Sequence, residues 1–176
     1  MKHLKQYRIQ FSGLTLGSHD FEFEIGDSFF DRFPYSIVKK GAINVTVNLN
    51  KQANFMVMMV YIDGHIQLDC DLCLTSFPAP CSAQERLIIK FNDEEIEELT
   101  DEIIVLGKNE FELDLSDYLY ECINLTVPAY IRCEELGDGL QCDEEMVKTI
   151  QNLAPTEPEE AKTDPRWEAL KGIKNN

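Results

Sequence analysis

The sequence predicts an α+β protein, an antiparallel β-sheet or small open barrel of about five to seven strands followed by two to three C-terminal helices. Apolar and polar residues alternate in segments such as residues 21–25 and 43–49, which is typical of half-buried strands. Near residue 92 the pattern changes, and apolar residues then recur at helical spacing. Strands followed by helices predict the α+β class.

The strands follow one another through the first half of the chain. Residues 55–62 are apolar at nearly every position, which is typical of a central strand packed on both faces. Asp63-Gly64 comes next and predicts a tight hairpin, with residues 65–68 returning as the partner strand. Residues 84–91 form a further predicted strand, and residues 103–106 a brief one.

Two helices are predicted after the strands. The first begins near residue 114, where Asp114 or Ser116 can accept hydrogen bonds from free N–H groups of the first turn. The second runs from about Asp143, its predicted N-cap, to residue 153. Their apolar stripes are Leu115, Leu119, Cys122 and Ile123 in the first helix, and Met146, Ile150 and Leu153 in the second.

The chain divides into a domain, a linker and a terminal segment. Residues 1–153 are predicted to form one domain, strand-rich in 1–91 and acidic and helical in 92–153, where a second cysteine pair lies. Residues 154–163 are rich in proline and acids and predict a linker.

Residues 164–176 contain a short helical motif. Asp164 is placed as an N-cap, Pro165 as the first helical residue, and Trp167 and Leu170 share a face. This segment either docks on its own domain or folds on a partner as a linear motif. The predicted partner-binding residues are Asp164, Pro165, Arg166, Trp167 and Leu170.

Charge is divided unevenly along the 176 residues, which carry 32 acidic and 16 basic side chains and a net charge of -16. Residues 1–90 hold nine of each sign, whereas residues 91–176 hold 23 acids against seven bases. The acidic excess excludes an ordinary nucleic-acid binder and adhesion to anionic membranes. It indicates an acidic interaction surface or a solvated tail in the second half.

No targeting or membrane-spanning segment is recognisable, so a cytoplasmic location is expected, where thiols stay reduced. Six cysteines in such a protein favour metal ligands or buried thiols over disulfides.

Four cysteines form a candidate zinc site. Cys70 and Cys73 have the spacing of a metal-binding knuckle, and Cys133 and Cys142 flank a glycine-containing loop and can complete a tetrahedral set. The alternatives are ordinary reduced thiols or a redox pair, although prolines follow this CxxC where a redox motif would open a helix. Cys81 is an alternative ligand in case Cys133 is out of reach. Cys122 is predicted to be buried in a helix.

Catalytic motifs are missing from the sequence, which has no Walker A, GxSxG or HExxH pattern and no histidine at ligand spacing. The sequence therefore predicts no enzyme and no small-molecule substrate. A rival hypothesis is a metal-dependent RNA hydrolase that holds Mg²⁺ with the acids of residues 93–102.

The order of these features resembles the YceD family of large ribosomal RNA subunit accumulation proteins. The resemblance rests mainly on the Cys70-Asp71-Leu72-Cys73 knuckle and on the terminal motif at residues 164–170. It implies a factor in large-subunit ribosomal RNA accumulation and ribosome assembly. Combined with the acidic second half, it predicts binding to a basic ribosomal protein or pre-ribosomal particle, with an indirect effect on RNA. The alternatives are direct RNA contact through Lys39, Lys40, Lys51, Arg86 and Lys90, or a zinc-bearing interaction module unrelated to ribosomes.

Overall fold

A computed structural model describes residues 5–91, 103–107 and 109–153. The chain divides into two compact units, Met1–Asp143 and Glu144–Asn176. The acidic run at 93–102, the predicted linker 154–163 and the predicted terminal motif at 164–176 lie outside the described residues.

The described part of the first unit is built on an open five-stranded sheet in the order β2-β3-β4-β5-β6. Strands β2 to β5 are antiparallel, and β6 pairs parallel with β5. A separate antiparallel pair joins β1 to β7. The strands are β1 (Arg8–Ile9), β2 (Gly17–Ile25), β3 (Gly41–Lys51), β4 (Phe55–Asp69), β5 (Ser76–Phe91), β6 (Ile103–Leu106) and β7 (Leu113–Asp114).

Four α-helices and one short 3₁₀ segment, Lys5–Tyr7, accompany the strands in the described residues. Three of the helices follow the sheet, so the predicted α+β class with an open antiparallel sheet and C-terminal helices is confirmed. The helices are α1 (Asp27–Phe30), α2 (Ser116–Leu125), α3 (Cys133–Leu136) and, in the second unit, α4 (Glu144–Leu153).

One face of the sheet forms the core of the first unit. The alternate residues of β3 from Ile43 to Leu49 are buried, and those of β4 from Met56 to Ile62 share this face. Helix α2 lies against β5, and all four residues of its predicted apolar stripe are buried. In α4, by contrast, Met146, Ile150 and Leu153 are all exposed.

The start of α2 is held by Asp114. Its carboxylate accepts a hydrogen bond from the backbone N–H of Ser116 at 3.0 Å and another from Nε of Arg8 at 3.0 Å. The N-cap residue is Leu115, which has no side-chain cap, so neither predicted residue occupies the cap position. Asp114, one residue earlier, instead accepts from the first helical N–H, and its side chain also links β7 to β1.

The predicted hairpin at Asp63-Gly64 is wrong, because β4 continues through both residues without a turn. Ile62, Ile66 and Leu68 all point to the core, and a two-residue turn would have placed Ile62 and Ile66 on opposite faces. Gly64 instead allows β3 to approach closely, since a Cβ atom there would lie 2.3 Å from the carbonyl oxygen of Ala42. The real turn between β4 and β5 is residues 70–75.

The run Phe77-Pro78-Ala79-Pro80, which contains the prolines that follow the CxxC, belongs to β5. Phe77 and Ala79 are buried while both prolines are exposed, so the strand alternation is intact. Beyond its pairing with β4, β5 pairs with β6 only along residues 88–91. The prolines thus lie where the far side of the strand has no described partner strand, a position that tolerates the missing N–H.

None of the helices within the described residues is both long and apolar enough to span a bilayer.

Candidate metal centre

The first cysteine pair lies in the turn that joins the two longest strands. Cys70 follows β4 directly, and its N–H donates to the carbonyl of Thr75 at 3.0 Å. The N–H of Leu74 donates back to the carbonyl of Cys70 at 2.9 Å, closing a tight knuckle. Leu74 has a φ of 61°, which lets the chain turn into β5 immediately after Cys73.

The second pair is presented by α3 and the loop that follows it. Cys133 is the first residue of α3, whose preceding residue, Arg132, is extended. Gly137 ends the helix, and a Cβ atom there would lie 2.7 Å from the carbonyl oxygen of Cys133. Gly139, with a φ of 69°, then reverses the chain toward Cys142.

One set of hydrogen bonds joins these two segments, and another joins α3 to the loop that follows it. The N–H of Asp71 donates to the carbonyl of Ile131 at 2.8 Å, and the Asp71 carboxylate accepts from the N–H of Ile131 at 2.8 Å. The Glu134 carboxylate accepts from the N–H of Cys142 at 3.2 Å. Each link fixes the backbone one or two residues from a cysteine, as supporting contacts around metal ligands commonly do.

The four sulfur atoms predicted as ligands all lie within 4.8 Å of one another. The Sγ–Sγ distances are 3.9 Å for Cys70 and Cys142, 3.8 Å for Cys73 and Cys133, and 3.4 Å for Cys133 and Cys142. Sulfurs arranged tetrahedrally around a zinc ion at about 2.3 Å lie about 3.8 Å apart. The cluster therefore has the donor type and spacing of a four-thiolate metal site.

Proton affinities differ among the four thiols. Hydrogen bonding from the Thr75 side chain lowers the pKa of Cys73 to about 6. Burial raises the pKa of Cys70, but backbone hydrogen bonds outweigh it and the net direction is down. Burial raises the pKa of Cys133, and the hydrogen bond with Cys133 raises that of Cys142. Several buried negative sulfurs repel one another, and a bound cation removes this conflict.

The two remaining cysteines lie apart from the cluster and are buried. Burial raises the pKa of Cys81, whose sulfur accepts a hydrogen bond from Thr126. Burial likewise raises the pKa of Cys122 to about 11, as expected for an unreactive core thiol. Cys81 is therefore not brought into the ligand set.

Two of the five basic residues considered for RNA contact are engaged within the fold. Nζ of Lys51 donates to the carbonyls of Phe11 at 2.8 Å and Leu14 at 2.9 Å. Nζ of Lys39 donates to the carbonyl of Pro34 at 2.7 Å. The predicted partner-binding residues at 164–170 and the rival magnesium ligands at 93–102 lie outside the described residues.

Asp71, Thr75 and Glu134 were missed by the sequence analysis. Asp71 carried one signal, since an aspartate inside a tight turn readily accepts backbone hydrogen bonds. Its partner Ile131 is distant in sequence, and nothing local identifies that contact.

The fold and the cluster define a class, an α+β protein with an open sheet and four cysteines able to hold a metal ion. A family model described as "Large ribosomal RNA subunit accumulation protein YceD" matches residues 58–174, and the chain belongs to this family. The matched range contains all four clustered cysteines and the terminal motif at 164–170. Searches of curated proteins and of solved structures found no match. The family description implies a role in large-subunit ribosomal RNA accumulation and names no enzymatic reaction.

Proposed function

We propose that this protein is a non-enzymatic ribosome assembly factor that binds a basic ribosomal protein or a pre-ribosomal particle and affects large-subunit RNA indirectly. The family match over residues 58–174 is the observation that carries the proposal. A cytoplasmic location is part of it.

The charge distribution supports a protein partner over naked RNA. The acidic excess lies entirely in residues 91–176, and such a surface attracts basic proteins and repels phosphate. The use of Lys39 and Lys51 in backbone hydrogen bonds further reduces the cationic groups available to RNA.

Zinc is the metal we propose for the cysteine cluster. An all-sulfur donor set suits zinc better than magnesium or calcium, which prefer oxygen ligands. Four protein ligands leave no open position, so the ion's role would be structural, fixing the β4–β5 turn to the segment from Cys133 to Cys142.

Elemental analysis of the purified chain tests the metal. One zinc per chain is expected, and Cys73→Ser should lose it. Cys122→Ser is the matched control, because Cys122 is a buried cysteine outside the cluster and should leave the zinc content unchanged. Folded protein free of metal would remove zinc from the proposal.

Affinity capture with the tagged full-length chain tests the partner. Ribosomal proteins should be recovered at low salt and released as salt rises, since the attraction is between exposed charges. Nuclease treatment of the lysate should leave recovery intact. Recovery of RNA alone, without any ribosomal protein, contradicts the proposal.

A further inference from the structure

A groove of about 500 Å³ lies beside the cysteine cluster, between the sheet and the loop that joins Cys133 to Cys142. The sheet side is provided by His65 of β4 and by Pro78 and Pro80 of β5. The opposite side is provided by residues 135–140, which include the last two residues of α3 and the loop after it. The metal-site chemistry proposed above uses none of these side chains.

The walls of the groove are mainly apolar. Pro78 and Pro80 are exposed, and Leu140 retains 41% of its surface accessible. Proline offers no N–H group, so a ligand cannot extend the sheet by regular backbone pairing at these positions. Recognition here must rely on side chains that pack along an apolar surface.

Carboxylates lie beside these apolar walls. Glu135 and Asp138 are both exposed, and both line the groove. The Glu135 carboxylate forms a long ion pair with Nε of Arg132, at 3.9 Å. Asp138 has no ion-pair partner within the described residues. The groove therefore combines apolar walls with negative charge, and one of its two carboxylates is uncompensated.

We propose that this groove binds lysine or arginine side chains from an extended basic segment of the protein partner. The aliphatic stem of such a side chain packs on proline and leucine while its cation reaches a carboxylate. RNA does not fit this chemistry, because phosphate would be placed against Glu135 and Asp138. The inference rests on the proposed function and gives its basic partner a binding site.

Binding at this groove should depend on the metal. Cys133 and Cys142 lie on either side of residues 135–140, so a metal held by both sulfurs fixes the wall that contains Asp138 and Leu140. Without the metal this wall loses its sulfur link to the sheet side, where Cys70 and Cys73 lie, and is held there mainly by the hydrogen bonds between Asp71 and Ile131.

The test measures binding of a labelled 12-residue peptide of alternating arginine and alanine to the zinc-loaded full chain at low salt. Paired substitutions Glu135→Gln and Asp138→Asn should weaken binding about five- to tenfold, the sum of two partly exposed ion pairs. Glu22→Gln with Glu24→Gln is the matched control, since it removes the same charge from exposed positions on β2 and should change affinity less than about twofold. Zinc content, measured on each variant, shows whether the cluster is intact.

A substitution that alters no charge distinguishes binding in the groove from general electrostatic attraction. Leu140→Ala keeps every charge and should weaken peptide binding about two- to fivefold by removing part of the apolar wall. The groove proposal is overturned if the Glu22/Glu24 control loses as much peptide affinity as the Glu135/Asp138 variant, or if the wild-type chain binds no peptide.

The capture experiment distinguishes the two levels of inference. If the Glu135/Asp138 variant recovers ribosomal proteins as well as the wild type does, the proposal that the groove binds the partner is overturned and the proposed function stands. If the wild-type chain recovers none, both are overturned.

Discussion

Leu74 lies where the knuckle turns into β5, in a backbone conformation that suits glycine. Among the described residues it is the one non-glycine with a positive φ, and 63% of its surface is exposed. A branched side chain in the left-handed region costs about 1 kcal/mol or more. Its exposure means that few contacts within the described residues offset this cost.

Leu74→Gly should therefore raise the free energy of unfolding by about 0.5 kcal/mol, because relief of the strain exceeds the entropy gained by the unfolded chain. Urea denaturation of the zinc-loaded protein measures the change. Leu72→Gly is the control, because Leu72 has no positive φ and should lose about 0.5–1 kcal/mol. A destabilised Leu74→Gly variant would show that the leucine is held by contacts rather than merely tolerated.

Gly64 is required by the close approach of two strands. An added Cβ atom would lie 2.3 Å from the Ala42 carbonyl oxygen and 2.7 Å from Cα of Ile43, both of them backbone atoms in β3. Gly64→Ala should lower stability by about 1–3 kcal/mol, as overpacking in a core does. Thermal unfolding measures this change. Gly26→Ala is the control, because a Cβ atom added there would meet nothing within 4 Å, and its change in stability should stay within about 0.5 kcal/mol.

At the scale of elements, Asp114 ties β1, β7 and the start of α2 together. Burial raises the pKa of this carboxyl, but hydrogen bonds from Ser116 and the nearby Arg8 guanidinium outweigh burial and hold the pKa below its usual range. A depressed folded-state pKa means that the ionised group stabilises the fold above its usual pKa, and that this contribution disappears as the pH falls through the folded-state pKa.

Asp114→Asn should thus lower stability by about 0.5–1 kcal/mol at pH 7, a small value because both charged groups are partly exposed to solvent. At a pH below the usual aspartate range the gap between variant and wild type should narrow, because the wild-type carboxyl becomes protonated as the pH falls through its depressed pKa. Urea titrations at the two pH values measure the gap. A gap that widens in acid would contradict the assignment.

The sequence allowed the strands of this fold to be predicted better than its turns. Alternation located β2 and β3, since a one-sided core imposes period two directly, and the continuous apolar run at residues 55–62 located the first part of β4. The hairpin prediction at Asp63-Gly64 failed because glycine, which favours tight turns, also occurs in strands that another backbone approaches closely. Ile62, Ile66 and Leu68 are separated by even numbers of residues, so they share one face of the sheet if the strand is continuous. This spacing predicts the observed strand better than the dipeptide does.

The first half of the candidate site was more predictable than the second. Cys70 and Cys73 have a spacing that itself suggests a knuckle, whereas Cys133 and Cys142 are brought to it by contacts far apart in sequence. The pairing of Asp71 with Ile131 spans 60 residues, and no local pattern encodes it. The groove beside the cluster depends on the same long-range arrangement.

For the whole molecule, a metal at the cluster links distant parts of the chain and so couples ion binding to folding. If zinc binds the folded chain alone, stability should rise by about 1.4 kcal/mol for each tenfold increase in free zinc above the dissociation constant. Urea unfolding in zinc-buffered solutions measures this slope. Cys133→Ser should abolish it and Cys122→Ser should keep it, and equal stability in zinc and in chelator would contradict the coupling.

The distance between Cys70 and Cys142, 72 residues along the chain, also sets an order of events during translation. The long β4–β5 hairpin and its two cysteines leave the ribosome well before the last ligand is synthesised. Until then the nascent chain offers at most three of the four clustered cysteines, so any earlier pairing of the hairpin occurs without the complete cluster. Closure of the four-sulfur cluster therefore cannot precede the synthesis of Cys142.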